Sequence, residues 1–423
     1  MYSIAKALVR RAVIRQAGGL RLQHGEPQLP GRLDRAGLYL HVPFCRRPCP
    51  YCAYNRWEYD AGLYATFEEA VKQEISQTAR RTAIGEITSL YVGGGTPTVN
   101  TGGLLRILDH LRASFGPANQ TCIELHPDWM PPETLDRLRR WGVDMVSIGA
   151  QSFHDHHLAR IGRSHSAARA RQAIRDAVEA GFTTVNVDLM FVLPGQAVAE
   201  VEDDVATAIG CGATQISTNP LLRFPYARLG RQAGLTRVGR PNGRQTRRML
   251  ATIDRVARAH RLRRCAVWSW IRPQGRKFSA VARHHYLGFG PSAASMTGRD
   301  LFFNTFHVGA YAEAVRRGSA VSLSMPLSRR LEMAYWLYWR LYELTVGRAP
   351  FASMFDRDLG RYYGWLFVVP RLLRLMRRTR EGYEVTDRGA YWIHRLQNAY
   401  SLDYITRIWS RCRQEPWPAE VRL

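Results

Sequence analysis

The chain has 423 residues, 46% of them hydrophobic, and its 60 Lys and Arg against 35 Asp and Glu give a net charge of +25. This length predicts two or three domains, and the hydrophobic fraction is ample for a sizeable core. No apolar run reaches the ~18 residues that a membrane-spanning helix needs. The longest, residues 365–373, is broken by Pro370. We therefore expect no transmembrane segment.

The excess of basic residues, most of them arginine, leaves two interpretations open. It can indicate nucleic acid, an anionic membrane surface or a polyanionic substrate, or it can reflect a GC-rich genome. We favour the second, and expect no nucleic acid, because no basic run interleaved with aromatics matches a nucleic-acid motif. Residues 1–25 hold five basic residues and no acidic one. They predict a helical extension, or alternatively a transit peptide or weak membrane-surface contact.

Three of the seven cysteines, Cys45, Cys49 and Cys52, are spaced C-x3-C-x2-C, and the others are scattered. Zinc usually takes four ligands, whereas three thiolates leave one iron of a four-iron cluster open. The spacing therefore favours an iron–sulfur cluster over a zinc knuckle or a redox-sensing site. Cysteine this sparse does not indicate a disulfide framework, and an oxygen-sensitive cluster favours a reducing cytoplasm.

From residue 38 the chain alternates predicted strands and helices, which is typical of parallel βαβ units. Six units are visible, and they predict an α/β fold, a partial (β/α)6 barrel. Its active site would lie at the carboxyl ends of the strands. The predicted strands are 38–44, 87–93, 121–127, 143–149, 184–192 and 213–219, and the helices are 62–83, 101–115, 131–141, 167–181 and 198–210.

Polar groups and glycines stand at these strand ends. The run Gly93-Gly94-Gly95-Thr96 follows the second strand, and its amides are expected to hold a carboxylate or ammonium group. Carboxylate, imidazole and amide side chains follow on later strands and would converge on the cysteine loop in one pocket. They are Glu124, His126, Gln151 and Asp188.

Seven motifs stand along the chain: YLHVPFCRRPCPYC, YVGGGTPT, IELHPD, VSIGAQSF, IGRSH, VNVDLMFVLPGQ and YLGFGPSA. Together they resemble the motifs of the HemN-like class of radical S-adenosylmethionine (SAM) enzymes. This class contains anaerobic coproporphyrinogen III oxidases, heme chaperones, and class C methyltransferases and cyclopropanases. The resemblance spans residues 38–295 and continues more weakly beyond. It implies a basic extension (1–37), a radical SAM partial barrel (38–225), a barrel-completing segment (226–320) and a winged-helix-like cap domain (321–423).

The resemblance also implies cofactors. Cys45, Cys49 and Cys52 would hold a [4Fe-4S] cluster whose open iron SAM chelates. An external one-electron reductant, flavodoxin or ferredoxin, would drive cleavage of SAM to a 5′-deoxyadenosyl radical. The residues that match SAM contacts of the class are Tyr39, Gly94, Gly95, Thr96, Glu124, Gln151, Arg163 and Asp188. For two of them an alternative role is open: Tyr39 could be an aromatic of the core, and Arg163 a surface arginine.

Two departures from the class bear on the reaction. The oxidases usually have a fourth cysteine where this chain has Tyr54, and residues 278–290 lack the His-Asn and Tyr-Trp pairs usual in heme chaperones. His284 and His285 leave heme ligation open. The resemblance thus favours two-SAM methylation or cyclopropanation at an sp2 carbon of a conjugated natural product, in the cytoplasm. A coproporphyrinogen decarboxylase or a heme chaperone, with a tetrapyrrole, is the alternative.

The C-terminal part predicts a helix over 327–346 and a strand, turn and helix over 383–397. This pattern is typical of a small winged-helix-like cap, which we expect to act as a lid rather than to bind DNA. The aromatic stripe of the first helix belongs either to a core or to a substrate platform, and we favour the core. It comprises Tyr335, Trp336, Tyr338 and Trp339.

Overall fold

A computed structural model describes residues 20–231, 242–279 and 285–423, without the side chains of 230, 231 and 397–402. Most of the predicted basic N-terminal helix, and His284, therefore lie outside the described residues. None of the described helices is long and apolar enough to cross a membrane.

Strands and helices alternate through the first half of the chain. The strands are β1 (Arg21–Gln23), β2 (Arg32–Val42), β3 (Phe44–Cys45), β4 (Trp57–Glu58), β5 (Ala83–Gly94), β6 (Thr121–Leu125), β7 (Met145–Gln151), β8 (Thr184–Phe191), β9 (Gln215–Pro220), β10 (Arg263–Ala266), β11 (Ser269–Ile271), β12 (Tyr286–Phe289), β13 (Ala294–Met296), β14 (Asp300–Asn304), β15 (Val321–Pro326), β16 (Thr345–Gly347), β17 (Met376–Arg378), β18 (Gly382–Val385) and β19 (Glu420–Arg422). The helices are α1 (Ala61–Arg81), α2 (Thr101–Phe115), α3 (Pro132–Trp141), α4 (Asp155–Ile161), α5 (Ala167–Glu179), α6 (Val198–Gly210), α7 (Arg228–Arg231), α8 (Gly243–Ala259), α9 (Val308–Arg316), α10 (Arg329–Tyr342), α11 (Arg348–Phe355), α12 (Leu359–Tyr363), α13 (Val368–Leu372) and α14 (Asp387–Cys412).

The six predicted strands form a parallel array at the centre of the large sheet, in the order β9-β8-β7-β6-β5-β2, and β12 pairs in parallel with β2 beside them. This confirms the predicted α/β fold with its partial six-unit barrel. The sheet continues through β12 to β15 and β1 on one side and through β11 on the other. In the described part of the chain it ends at β10 and β19 and does not close.

The helices between the parallel strands pack through one apolar face. In α5 the inward residues Ala170, Ala173, Ile174 and Ala177 recur at helical spacing and are fully buried. Ser166 caps this helix, because its hydroxyl accepts from the amide of Arg169. Central strands such as β7 are buried on both faces of the sheet, and their sequences are therefore almost continuously apolar. Helices on the outer face leave the strand ends free for a site.

The C-terminal cap is a three-stranded sheet, β16-β18-β17, with helices and an apolar cluster of its own. The predicted helix over 327–346 is shorter in the structure, because Leu344 has a φ of 67° and ends it before β16. Left-handed φ values are incompatible with a continuing α-helix. Phe351 lies at the centre of the cluster, 5.3 Å from the Trp336 ring and 5.0 Å from the Phe355 ring. The domain boundaries 37/38, 225/226 and 320/321 stay predictions.

We predict that Phe351→Ala destabilises the cap by about 3–5 kcal/mol, because it leaves a cavity at a fully buried position. Urea unfolding followed by circular dichroism measures the loss. Val178→Ala is the control, since Val178 is 38% exposed and its truncation is expected to change stability by about 0.5 kcal/mol or less. Equal losses in the two variants would contradict a packed cap core.

Candidate active site

The cysteine loop follows β3 and is held by one arginine. Arg56 donates through Nη1 to the carbonyl of Cys52 at 2.8 Å and through Nη2 to the carbonyl of Cys49. The amide of Cys52 also donates to the Cys49 carbonyl at 3.3 Å. These bonds use the loop's carbonyl groups and leave its sulfur atoms for a ligand.

Each of two cysteine sulfurs has a donor beside it. Thr96 Oγ1 donates to Cys45 Sγ at 3.6 Å, and Arg163 Nη1 donates to Cys49 Sγ at 3.4 Å. Burial raises the pKa of the Cys45 thiol to about 12 and also raises that of Cys52. Buried thiols of this kind become thiolates only when a metal supplies positive charge.

The three thiols suit an iron–sulfur cluster better than a single ion. Two groups of described side chains bring three ligand atoms within 4.8 Å of one another, and the cysteines are not among them. A cluster spreads its thiolates over several irons, whereas a zinc ion needs them around one centre. The donor set therefore fits the [4Fe-4S] cluster and not the zinc knuckle.

The glycine run after β5 lies against the backbone that leads into the cysteine loop. A Cβ at Gly95 would stand 2.5 Å from the Phe44 carbonyl oxygen, and one at Gly94, whose φ is 113°, would stand 2.9 Å from that of Val42. Only glycine permits this approach. The amides of Gly95 and Thr96 donate to these two carbonyls at 2.8 and 2.7 Å. The sequence had led us to expect that these amides hold a ligand. Both are instead bonded to protein carbonyls and are not free to do so.

Two carboxyl groups face the cavity beside the cysteines. Glu124 accepts from Tyr91 Oη at 2.5 Å and from the Gly94 amide at 3.2 Å. Asp188 accepts from Ser147 Oγ at 2.6 Å. Burial raises the pKa of Glu124 to about 7 and that of Asp188 to about 6. Among the described ion pairs neither has a basic partner within 4.0 Å, so both can bind a cationic ligand.

Arg163 is inside the cavity and is not a surface arginine. Its Nη2 donates to the carbonyl of Gly149, and its buried Nε has no hydrogen-bond partner. A buried guanidinium with a free donor fits a carboxylate. Gln151, at the end of β7 with a φ of 69°, lines the same cavity.

The cavity has a volume of about 500 Å³, within the range of small-molecule sites. All but one of the predicted cofactor contacts line it. The exception is Tyr39, whose hydroxyl is 2.7 Å from His41 Nδ1 and whose ring lies 6.1 Å from that of Tyr91. The residues that line the cavity are Cys45, Cys49, Cys52, Gly94, Gly95, Thr96, Glu124, His126, Gln151, Arg163 and Asp188.

A network of hydrogen-bonded polar side chains on the inner face of the sheet was not predicted from the sequence. Ser147 accepts from Asn186 Nδ2 at 2.6 Å, and Ser217 donates to Asn186 Oδ1 at 3.0 Å and lies 3.0 Å from Ser269 Oγ. This network orients Asp188. The alternation of Asn186 and Asp188 within an apolar strand was the available signal, because residues two apart face the same side.

Aromatic rings from several elements also line the cavity. The predicted aromatic stripe divides: Trp336 is in the cap core, as expected, whereas Tyr338 and Trp339 line the cavity. Tyr342 and Trp409 of the cap line it as well. Further rings come from outside the cap: Tyr54, Trp268 and Phe278.

Comparison with known proteins agrees with this site. Residues 39–208 match the model of the Radical SAM superfamily. The chain is 30% identical over 292 residues to the heme chaperone HemW of Mycobacterium tuberculosis, covering 66% of this chain and 73% of that one. It is 32% identical over 166 residues to the oxygen-independent coproporphyrinogen III oxidase of Escherichia coli, covering 38% of this chain and 36% of the oxidase.

The fold agrees as well. The structure of coproporphyrinogen III oxidase (HemN) from Escherichia coli superposes with a TM-score of 0.74 at 22% identity, over 89% of this chain and 91% of that one. The chain therefore belongs to the HemN-like class of the radical SAM superfamily. Membership in this superfamily implies a [4Fe-4S] cluster and SAM, and it makes the chain a radical SAM enzyme.

We predict that Cys49→Ala abolishes cluster assembly, because two thiols do not retain the cluster. The measurements are iron content and absorbance near ~420 nm, typical of such clusters, after anaerobic reconstitution. Cys211→Ala is the matched control, since Cys211 is buried at the end of α6. Undiminished absorbance in Cys49→Ala would refute the ligand assignment.

We predict that SAM binding to the reconstituted protein tightens by up to about tenfold between about pH 6 and about pH 8. Glu124, with its pKa raised to about 7, is protonated below that pH and anionic above it, and a cationic ligand favours the anion. Equilibrium dialysis measures the affinity.

Glu124→Gln should weaken binding at the higher pH and flatten the dependence. Glu69→Gln, at an exposed position of α1, is the control and should bind as the wild type does. An unchanged pH profile in Glu124→Gln would contradict this role.

Proposed function

We propose that this radical SAM enzyme acts on a substrate of the tetrapyrrole class, whose pyrrole rings are flat and conjugated. The observation that carries the proposal is the combination of two kinds of group in one cavity. Three thiols, two carboxyl groups and Arg163 line it together with aromatic rings, several of which come from the cap. Aromatic side chains stack on flat conjugated ligands. The similarity to HemW and to coproporphyrinogen III oxidase supports a tetrapyrrole among such ligands.

The chain's own residues have separable tasks. When bound, the cluster and SAM supply an electron and a carbon-centred radical that removes a hydrogen atom from the substrate. Cys45, Cys49 and Cys52 would hold the cluster, while Arg56 fixes the loop that carries them. Glu124 and Asp188 would bind cationic groups of SAM, and Arg163 would bind its carboxylate. An external one-electron reductant and the cytoplasmic location stay predictions.

The aromatic rings of the cap orient the substrate and exclude water. Tyr338, Trp339 and Tyr342 come from α10, and Trp409 comes from α14. Rigid rings order a ligand at little cost in side-chain entropy. Excluding water protects a radical from side reactions. These rings support the role of a lid for the cap, which stays a prediction.

One observation favours a second function, two-SAM methylation or cyclopropanation. Tyr54 stands where the oxidases have a fourth cysteine, and it lines the cavity. A tyrosine cannot supply that thiolate, so any chemistry that depends on it is lost. A second SAM molecule would be needed for this function.

The test is an anaerobic assay of the reconstituted protein with SAM and reductant, with and without coproporphyrinogen III. We expect 5′-deoxyadenosine that increases with the tetrapyrrole. S-Adenosylhomocysteine with a methylated or cyclopropanated product would instead establish the second function. Stoichiometric heme binding without 5′-deoxyadenosine would overturn both and indicate heme delivery.

We predict that Trp339→Ala raises the KM for the tetrapyrrole about tenfold, because it removes one stacking ring. Substrate-independent cleavage of SAM should stay near the wild-type rate, since α10 carries none of the cysteines, the two carboxyl groups or Arg163. Trp392→Ala is the control, because Trp392 is exposed and does not line the cavity. A loss of SAM cleavage alone would contradict the assignment of Trp339 to the substrate.

A further inference from the structure

The cap carries a continuous apolar ridge on its outer surface. Leu372 is 77% exposed, Trp365 63% and Val369 61%. Elsewhere in the described chain, the exposed large apolar side chains are Tyr54, Trp57, Val178, Trp392 and Trp417, and no two of them are consecutive in sequence. A contiguous exposed apolar surface marks a site of interaction. The apolar ridge consists of Trp365, Leu366, Val368, Val369, Leu372 and Leu373.

The ridge is fixed in its outward orientation. Phe367, between its members, is 2% exposed and stacks on Tyr383 with ring centroids 4.3 Å apart. At the end of α13 the amide of Leu375 donates to the Pro370 carbonyl at 2.8 Å, and Thr386 Oγ1 donates to the Arg374 carbonyl at 2.9 Å. With Phe367 anchored inward, the ridge cannot turn into the cap core.

The segment that carries the ridge is rich in arginine. Residues 359–380 contain no Asp or Glu, and all their arginines are exposed. Arg377 pairs with Glu384 at 2.7 Å, on the neighbouring strand. This arginine rim comprises Arg361, Arg371, Arg374, Arg377, Arg378 and Arg380.

We propose that the apolar ridge and the arginine rim dock this protein on an anionic membrane surface. Apolar side chains enter the boundary between headgroups and acyl chains, and arginines bind the lipid phosphates. Since α13 has five residues, the contact lies in the interface and does not span the bilayer. The proposal goes beyond the proposed function and does not depend on it.

Other occupants fit the surface less well. Nucleic acid would pair with the arginine rim but would leave the apolar ridge in water. A second copy of the chain would cover the ridge but would bring two arginine rims together, and like charges repel. An anionic membrane satisfies the ridge and the rim at once.

The test is co-sedimentation of the reconstituted full-length protein with vesicles. One set contains phosphatidylcholine and phosphatidylglycerol in equal amounts, and the other contains phosphatidylcholine alone. We expect binding to the anionic vesicles that weakens with salt. The double variant Val369→Ser/Leu372→Ser should bind about tenfold more weakly or worse. Arg371→Gln/Arg378→Gln should also bind more weakly, with a smaller salt dependence.

Val178→Ser, at an exposed site on α5, is the matched control and should bind as the wild type does. Equal circular dichroism and cluster absorbance show that all variants are folded. Wild-type binding by Val369→Ser/Leu372→Ser would overturn the proposal. Dimerisation of the wild type without lipid, if the same double variant abolishes it, would also overturn the proposal. Binding of the wild type to DNA but not to vesicles would overturn it as well.

Discussion

The close approach of the glycine run to residues 42–44 is the constraint on which the site depends. Gly94 and Gly95 lie so near the carbonyls of Val42 and Phe44 that no side chain fits between them. Two backbone hydrogen bonds close this contact. It aligns the ends of β2 and β5, places Thr96 beside the Cys45 sulfur and leaves Glu124 directly behind the glycines. The cysteine loop and the carboxyl group of Glu124 are therefore parts of one rigid corner of the sheet.

Charge distribution gives that corner its selectivity. Two buried carboxyl groups without basic partners cost free energy in an empty cavity, which their raised pKa values express. A ligand with positive charge removes this cost. Arg163, with one donor on a sulfur and another free, adds a place for a negative group on the same ligand. The site therefore suits a molecule that carries both charges, as an amino acid derivative does.

The parallel strands and their helices could be predicted from the sequence because their periodicity is local. Helix α2 has the predicted bounds, and the polar strand ends converge because parallel strands share an edge. Long-range features could not be predicted. The pairing of β1 with β15 and β19 joins residues about 300 and 400 positions apart in sequence. The sequence also did not indicate that the amides of Gly95 and Thr96 donate to protein carbonyls, or that the hydroxyl of Tyr39 lies beside His41. The preference for methylation rested on departures from the oxidase and chaperone patterns, at Tyr54 and in residues 278–290, whereas the similar proteins are a heme chaperone and a coproporphyrinogen III oxidase.

One helix, α10, belongs to both the cap core and the cavity wall. Trp336 belongs to the cluster around Phe351, Tyr338 and Trp339 line the cavity, and Tyr342 does both. Because Tyr338 and Trp339 are not part of that cluster, their mutation can alter the cavity wall without disturbing the core that holds the helix in place. The cysteines and carboxyl groups stand on other elements. A lineage can thus acquire new substrates by exchanging a few rings on one helix, while the machinery that initiates the reaction is inherited intact.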